Sequence, residues 1–194
     1  MRILQQLREF KRHYFSEVRR WFLYRRYHFK GKEIVFGMRL NIQNPQYISV
    51  GDYVVLSDDL DLNVYKSFDH DPQLVIEDHV RLGRNNTIGC DNKIIIERDV
   101  ITAPFVHITD RNHCFEDVTR PITKQGMMTS GPVVIGAETW LGYGAQVMSG
   151  VTIGRHCVIA AGSIVTRDIP DYSVAAGCPA RVIKRYNFDT QKWE

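Results

Sequence analysis

The sequence predicts an all-β chain wound as a parallel β-helix, and three observations predict it. From Ile135 onward an aliphatic residue returns every six positions, at Ile135, Leu141, Val147, Ile153, Ile159 and Val165. Four positions after each of the first five comes a small or compact residue: Thr139, Ala145, Val151, Cys157 and Ser163. Gly or Ala often follows the aliphatic directly, as at Gly136, Gly142, Gly154 and Ala160. A beat of six fits neither the 3.6-residue turn of a helix nor a simple alternating strand. It is the period of a solenoid in which each hexapeptide is one short strand plus its corner and three hexapeptides close a coil. One such coil buries nothing alone; stacked, its aliphatics form columns inside a triangular prism while its backbone pairs with the coils above and below. A β-sandwich of alternating strands would have to hold the same beat through the whole stretch without slipping.

Composition sets the outer bounds. A chain of 194 residues with 44% apolar content suffices for one substantial domain with an appendage. No uninterrupted apolar run approaches the roughly 20 residues needed to span a bilayer. Met1 leads into a charged segment, not an apolar core with a cleavage site, so a cytoplasmic location is expected. Cys90, Cys114, Cys157 and Cys178 form no CxxC, in keeping with a reducing compartment, and Cys157 falls on the small-residue beat as a packed wall residue. Residues 1–30 hold nine Lys/Arg against Glu9 and Glu17, whereas the remainder holds sixteen against twenty acids. The basic character therefore belongs to the N-terminal segment.

Taken in order, the chain opens with a basic amphipathic helix from Ile3 to about Tyr27, its apolar residues recurring at three and four. Two roles are open to it. It can cover the first coil, as every solenoid end requires. It can also contact the inner membrane surface, with Trp21, Phe22 and Tyr24 at headgroup depth and Arg19, Arg20, Arg25 and Arg26 toward anionic lipid. Residues 31–170 are assigned to the β-helix. Its beat begins weakly after Pro45 at Val50, Leu56 and Leu62, is interrupted by the polar loop Lys66 to Pro72, and resumes at Ile76, Leu82 and Ile88. After a shift of two residues it returns at Ile96, Thr102 and Ile108, which gives about five coils in all. Over residues 109–132 the pattern vanishes, and so long a loop in a strict solenoid is usually functional. Residues 171–194 are expected to fold back over the last coil and end in a short helix.

The segments Ile135-Gly136 with Trp140-Leu141-Gly142, Gly150-Val151-Thr152-Ile153-Gly154, Ala161-Gly162-Ser163-Ile164-Val165-Thr166 and Ala176-Gly177-Cys178-Pro179-Ala180-Arg181-Val182-Ile183 resemble the hexapeptide-repeat acyltransferases. Within that family, Thr109-Asp110-Arg111-Asn112-His113 and the ending Val182 to Asn187 followed by Trp193 are most similar to the lipopolysaccharide and capsular polysaccharide O-acetyltransferases. The resemblance implies a left-handed winding, a homotrimer with sites in the clefts between prisms, and acetyl-CoA as acyl donor without a metal. It implies His113 as the catalytic histidine opening the extended loop, and Asn85 as an acceptor-binding residue. Trp140 matches a tryptophan lining the CoA channel, and Ala161, Thr166, Arg167 and Lys184 fall where relatives touch pantetheine and the CoA phosphates. Arg167, Arg181, Lys184 and Arg185 form a basic cluster suited to those phosphates.

The expected reaction is acetyl transfer to a hydroxyl of a sugar in surface-polysaccharide synthesis, with an amino-sugar acceptor as the alternative and no nucleic-acid partner. A sugar hydroxyl attacks a thioester at neutral pH only when a positioned base takes its proton, and the unperturbed histidine pKa of about 6.5 suits that task. Asp110, Glu116 and Asp117 are the candidates for orienting the imidazole. Each site residue also has a plainer reading: a solvated histidine, corner asparagines at Asn85 and Asn86, wall packing for Trp140 and a solvated basic patch. Three other classes compete. They are a covalent route through Cys114, a zinc enzyme of the γ-carbonic-anhydrase kind using His79, His107 and His113, and a catalytically dead scaffold.

Overall fold

The computed structural model describes residue 18, residues 21–27 and residues 29–194. Short strands recur at intervals of about 16 to 26 residues, or 39 where the long insertion intervenes, and each pairs in parallel with its counterpart one turn later. The result is three parallel sheets that form the three faces of a prism. The first face runs through Val35–Phe36, Val55–Leu56, Arg81–Leu82, Ile101–Thr102, Trp140–Leu141 and Val158–Ile159 to Ser173–Gly177. The second runs through Asn41–Gln43, Asp61–Val64, Thr87–Cys90, His107–Thr109, Gln146–Val147 and Ile164–Val165. The third runs through Ile48–Val50, Gln73–Ile76, Lys93–Ile96, Val133–Ile135 and Thr152–Ile153, with a last single bridge to Ile169.

Within each strand, alternation decides which side chains enter the prism. Phe36, Leu56, Leu82, Leu141 and Ile159 point inward on the first face, and Leu62, Ile88, Ile108, Val147 and Val165 on the second. All six residues of the strong beat, Ile135 through Val165, are fully buried, and so are the five compact residues at its offset positions. Several polar members of the interior are satisfied by one another and by the backbone. Thr139 Oγ1 donates to the Gly154 carbonyl at 2.9 Å and accepts the Cys157 N–H at 3.0 Å. Asn86 Oδ1 accepts the Val106 N–H at 3.0 Å, and Thr102 Oγ1 accepts the Gly83 N–H at 2.8 Å and a bond from the Asn86 amide. Cys157 is a buried wall residue as expected, its thiol donating to the Pro170 carbonyl at 3.2 Å, with burial pushing its pKa up.

Two expectations change. Among the described residues the stack has six layers where about five were expected, because residues 35–50 already form one. Its beat is hard to read, since Asn41–Gln43 is only partly buried and contributes a single aliphatic, Ile42. The tail contains no final helix among the described residues. Ser173–Gly177 adds a seventh parallel strand to the first face, then Ala180–Asn187 and Lys192–Trp193 return antiparallel. The turn at Cys178-Pro179 reverses the chain while Val174, Ala175 and Val182 still have face-directed places, so strand pairing outcompetes a helix. The expected loop at 109–132 contains an antiparallel hairpin, described below.

Most of the expected N-terminal helix, including Arg19 and Arg20, lies outside the described residues. Residues 21–27 are helical. Tyr24 accepts the Ile34 N–H on its hydroxyl at 2.8 Å and meets Phe36 edge-on at 5.4 Å, and Tyr27 and Phe29 are buried against the same end of the prism. Trp21 and Phe22 remain exposed. Among the described residues no helix is long and apolar enough to cross a membrane.

Close stacking makes some glycines obligatory. A Cβ on Gly136 would lie 2.5 Å from the Gly154 carbonyl carbon and 2.7 Å from the Arg155 nitrogen, both backbone atoms that cannot yield. Gly136→Ala is therefore expected to destabilise by about 1–3 kcal/mol through overpacking, and Leu141→Ala by about 2–5 kcal/mol through the cavity it leaves. Both are checked by the shift in thermal and urea midpoints.

Candidate active site

The departures from the six-residue beat gather at one corner, where the second face turns into the third. The polar loop 66–72 leaves there in the second layer, Asp91 and Asn92 in the third, and residues 110–132 in the fourth. Corner residues lie outside the ladders, so extra chain can leave there without breaking strand pairing. Asp110 fastens the root of the long insertion. Its Oδ1 accepts the Asp91 N–H at 2.8 Å, its Oδ2 accepts the Asn92 N–H at 2.9 Å, and its carbonyl accepts Ser149 Oγ at 2.7 Å.

The insertion then folds on itself. Asn112–His113 pairs antiparallel with Met127–Met128, His113 lying opposite Met127. Farther out, the Gln125 side chain donates to the Asp117 and Arg120 carbonyls at 2.8 and 2.9 Å and accepts the Asp117 N–H at 3.1 Å. The hairpin carries exposed apolar side chains, Phe115, Val118 and Ile122.

Between this hairpin and the second face lies a cavity of about 490 Å³. Its floor is the outward side of the second face, with Thr87, His107 and Gln146 in one cross-strand row and Asn63, Gly89 and Thr109 in the next. Arg111, Asn112, His113 and Met127 form one wall and Tyr65 contributes to the rim. His113 is exposed and His107 half-buried. Burial lowers the His107 pKa, which favours a neutral ring with one donor and one acceptor. Below the wall sits Asp91, with no exposed surface and no hydrogen bond to either carboxylate oxygen. Burial, foremost, pushes its pKa up and the neighbouring Asp110 adds to that, while Ser67 and Arg111, the latter at 3.4 Å, oppose them.

Of the residues singled out from sequence, the chain brings only His113 and, from the zinc alternative, His107 to this cavity. Asn85 sits at the corner between the first and second faces at φ 54°, half-buried, its backbone N–H donating to the Asp58 carbonyl at 3.1 Å. Its neighbour Asn86 is interior. Trp140 projects from the first face, about half exposed, in register between Ile101 and Val158. The same row continues to Val174 and then Lys184 on the outer tail strand. Arg181 lies on that strand opposite Ala176, while Ala161, Thr166 and Arg167 are exposed around the last layer. None of Asp110, Glu116 and Asp117 bonds to the His113 ring: Asp110 is engaged as above, Glu116 Oε2 accepts the Phe115 N–H at 3.0 Å, and Asp117 Oδ1 accepts from Thr119. Among the described residues of one chain no three His, Cys, Asp or Glu side chains gather as a metal site, and His79 stacks on Tyr53 at 5.1 Å at another corner. Sequence reasoning gave no site role to Arg111, Asn63, Thr87 or Gln146. The twenty-residue interval from Thr87 to His107 was the available signal that they share a row.

A prism of six-residue rungs with a hairpin walling an imidazole-bearing cleft defines the class as a hexapeptide-repeat β-helix. Residues 132–167 match the family model described as bacterial transferase hexapeptide (six repeats). The chain is 44% identical over 115 residues, 59% of its length and 38% of the relative's, to "Probable acetyltransferase Rv3034c" of Mycobacterium tuberculosis (strain ATCC 25618 / H37Rv). It is 35% identical over 127 residues, 62% of its length and 65% of the relative's, to "Putative lipopolysaccharide biosynthesis O-acetyl transferase WbbJ" of Escherichia coli (strain K12). The structure of a point mutant of AntD, an N-acyltransferase from Bacillus cereus in complex with dTDP and coenzyme A, superposes with a TM-score of 0.64 at 20% identity. That superposition covers 82% of this chain and 87% of AntD, and it is a likeness of fold. Residues 132–167 thus carry the bacterial transferase hexapeptide repeat, and the relatives that the chain resembles bear the names of acetyltransferases. The matched stretches span less than two thirds of these curated relatives' lengths.

The Asp91–Arg111 pair has a signed consequence. A carboxyl whose folded pKa is raised above its unfolded value loses its stabilising contribution as pH rises from the unfolded toward the folded value. Arg111→Gln removes the opposing cation and extends that window upward. The variant is expected to lose more stability at pH 8 than at pH 5, by roughly 3–5 kcal/mol at the alkaline end. Adding Asp91→Asn should remove the pH dependence, read as the difference in thermal midpoint between the two pH values.

Proposed function

We propose that the protein moves an acetyl group from acetyl-CoA to a hydroxyl of a sugar used in surface-polysaccharide synthesis, such as lipopolysaccharide O-antigen or capsule. The observation that carries this reading is the exposed imidazole of His113 on the wall of a sugar-sized cavity, held by a hairpin rooted in the fourth layer. His113 takes the acceptor proton as the hydroxyl oxygen attacks the thioester carbon, and the proton then passes to the departing CoA sulfur. The tetrahedral oxyanion requires an N–H donor, as in other acyl transfers.

Trp140, Ala161, Thr166, Arg167, Arg181 and Lys184 are assigned to CoA, the first along the pantetheine channel and the cations at the phosphates. They lie on the first face and the last layers, whereas His113 opens over the second face. A left-handed homotrimer that sets one chain's hairpin against the next chain's first face would join the two halves, and Asn85 would then reach the acceptor from a corner. The name of the Escherichia coli relative supports the polysaccharide assignment, and coenzyme A in the AntD complex supports the donor. In this reading Tyr24, Tyr27 and Phe29 of the N-terminal segment cap the first layer, and contact of the exposed Trp21 and Phe22 with the inner face of the cell membrane is the alternative role. Residues 171–194 close the CoA end.

His113→Ala is expected to lower kcat by about 10²–10⁴ while acetyl-CoA still raises the thermal midpoint, measured by thiol release across sugars and nucleotide sugars. Unchanged turnover would refute the assignment, whereas full retention by Cys114→Ala excludes a covalent cysteine. Analytical ultracentrifugation is expected to give a trimer, and a fully active monomer would overturn the shared cleft.

A further inference from the structure

The cavity beside His113 has an unusual charge balance. Its lining contains one guanidinium, that of Arg111, two imidazoles, and no aspartate or glutamate. The neutral polar groups around them, Asn63, Thr87, Gln146 and Asn112, suit sugar hydroxyls. None of them accounts for a fixed cation two residues from His113.

Arg111 is held firmly and uses few of its donors. Its guanidinium lies 4.2 Å from the centroid of the Tyr65 ring, which fixes its plane. Nη1 forms an ion pair with Asp91 Oδ1 at 3.4 Å without closing an aligned hydrogen bond, and both Asp91 oxygens are without one. Among the described residues its recorded side-chain bond is a weak one, Nη2 to Met127 Sδ at 3.6 Å. An arginine has five N–H donors in a rigid fork that matches a carboxylate or phosphate. This one is pre-oriented by a ring, backed by a buried carboxyl group, and left with donors to offer on a cavity wall. A merely structural arginine would be expected to close a bidentate pair with Asp91, as Arg39 does with Asp59 through Nε and Nη2.

We infer that Arg111 is the specificity-determining residue for the acceptor, receiving an oxyanion carried close to the hydroxyl that faces His113. The proposal rests on the transfer reading above and narrows its acceptor from sugars in general to anionic ones. Two sources share that chemistry, the phosphate of an activated sugar and the carboxylate of an acidic sugar. About 490 Å³ accommodates one hexose ring with such a group.

The test has a transfer arm and a binding arm. Thiol release from acetyl-CoA is measured with a methyl hexoside, a hexose 1-phosphate, a UDP-hexose and a hexuronic acid. The wild type is expected to favour at least one anionic acceptor over the neutral one by about 10–100-fold in kcat/KM, the scale of a charged hydrogen bond. Arg111→Gln should bring that ratio toward one, with Arg111→Lys intermediate. The double variant Asp91→Asn/Arg111→Gln repeats the measurement without an orphaned buried carboxylate. A structural role would lower all acceptors together and leave the ratio intact, and that outcome overturns the proposal. In the binding arm, pyrophosphate and glucuronate are titrated by calorimetry with CoA in excess, so that the CoA phosphate sites are filled. Binding of either that is lost in both Arg111→Gln backgrounds supports the inference and names the source. Binding of neither, or binding indifferent to Arg111, overturns it. Arg111-dependent binding without any transfer would instead sink the transfer reading and leave the oxyanion site standing.

Discussion

Every feature of this chain hangs on the parallel ladder between one turn of the prism and the next. A two-residue rung such as Gln146–Val147 makes too few bonds within its own turn to persist. It is held because His107–Thr109 lies beneath it and Ile164–Val165 above, at the spacing of paired strands, roughly 4.8 Å. The same stacking sets Val147 on Ile108 and under Val165, so hydrogen bonding and apolar burial are satisfied by one repeat. Close approach at the corners follows, and it leaves no room for a side chain at positions such as Gly136.

A lattice this regular presents its outward side chains in rows. Thr87, His107 and Gln146 form such a row on the second face; Ile101, Trp140, Val158, Val174 and Lys184 form another on the first. A regular face has no cavity of its own, however. Concavity arises where chain leaves the lattice, and the corner between the second and third faces is where it leaves in three successive layers. Asp110 joins those departures by accepting backbone N–H groups from the layer below, so the hairpin bearing His113 stands on a fixed root.

The electrostatics of the cleft come from what is buried beneath it. Asp91 is inside the protein, and Arg111 lies between it and the open cavity. A buried carboxylate is tolerated when a cation stands close, and the cation here is the one group of the pair that reaches the lining. His107, half-buried, stays neutral through desolvation. The wall is therefore positive without a carboxylate of its own, which sets this cleft apart from a plain sugar pocket.

The six-residue recurrence was legible from Ile135 to Val165 because each inward position is fully buried and tolerates only aliphatic or compact side chains. The first layer was read only from Val50 onward because its middle rung, Asn41–Gln43, is partly exposed and its residues less constrained. The tail was misjudged because strand pairing with Ser173–Gly177, a nonlocal partner, overrode the local pattern of Ala180–Asn187. His113 could be picked out since it opens the long break in the beat. Arg111 could not, because its meaning depends on Tyr65 and Asp91, which lie 46 and 20 positions earlier in the chain and meet it only through stacking. The sequence by itself determined the period, the inward columns and the place where the lattice is interrupted, because burial acts on each residue in turn. Only the tertiary structure decided which outward residues share a row, how the hairpin folds and what charge its cavity presents, because those are contacts between layers far apart in the chain.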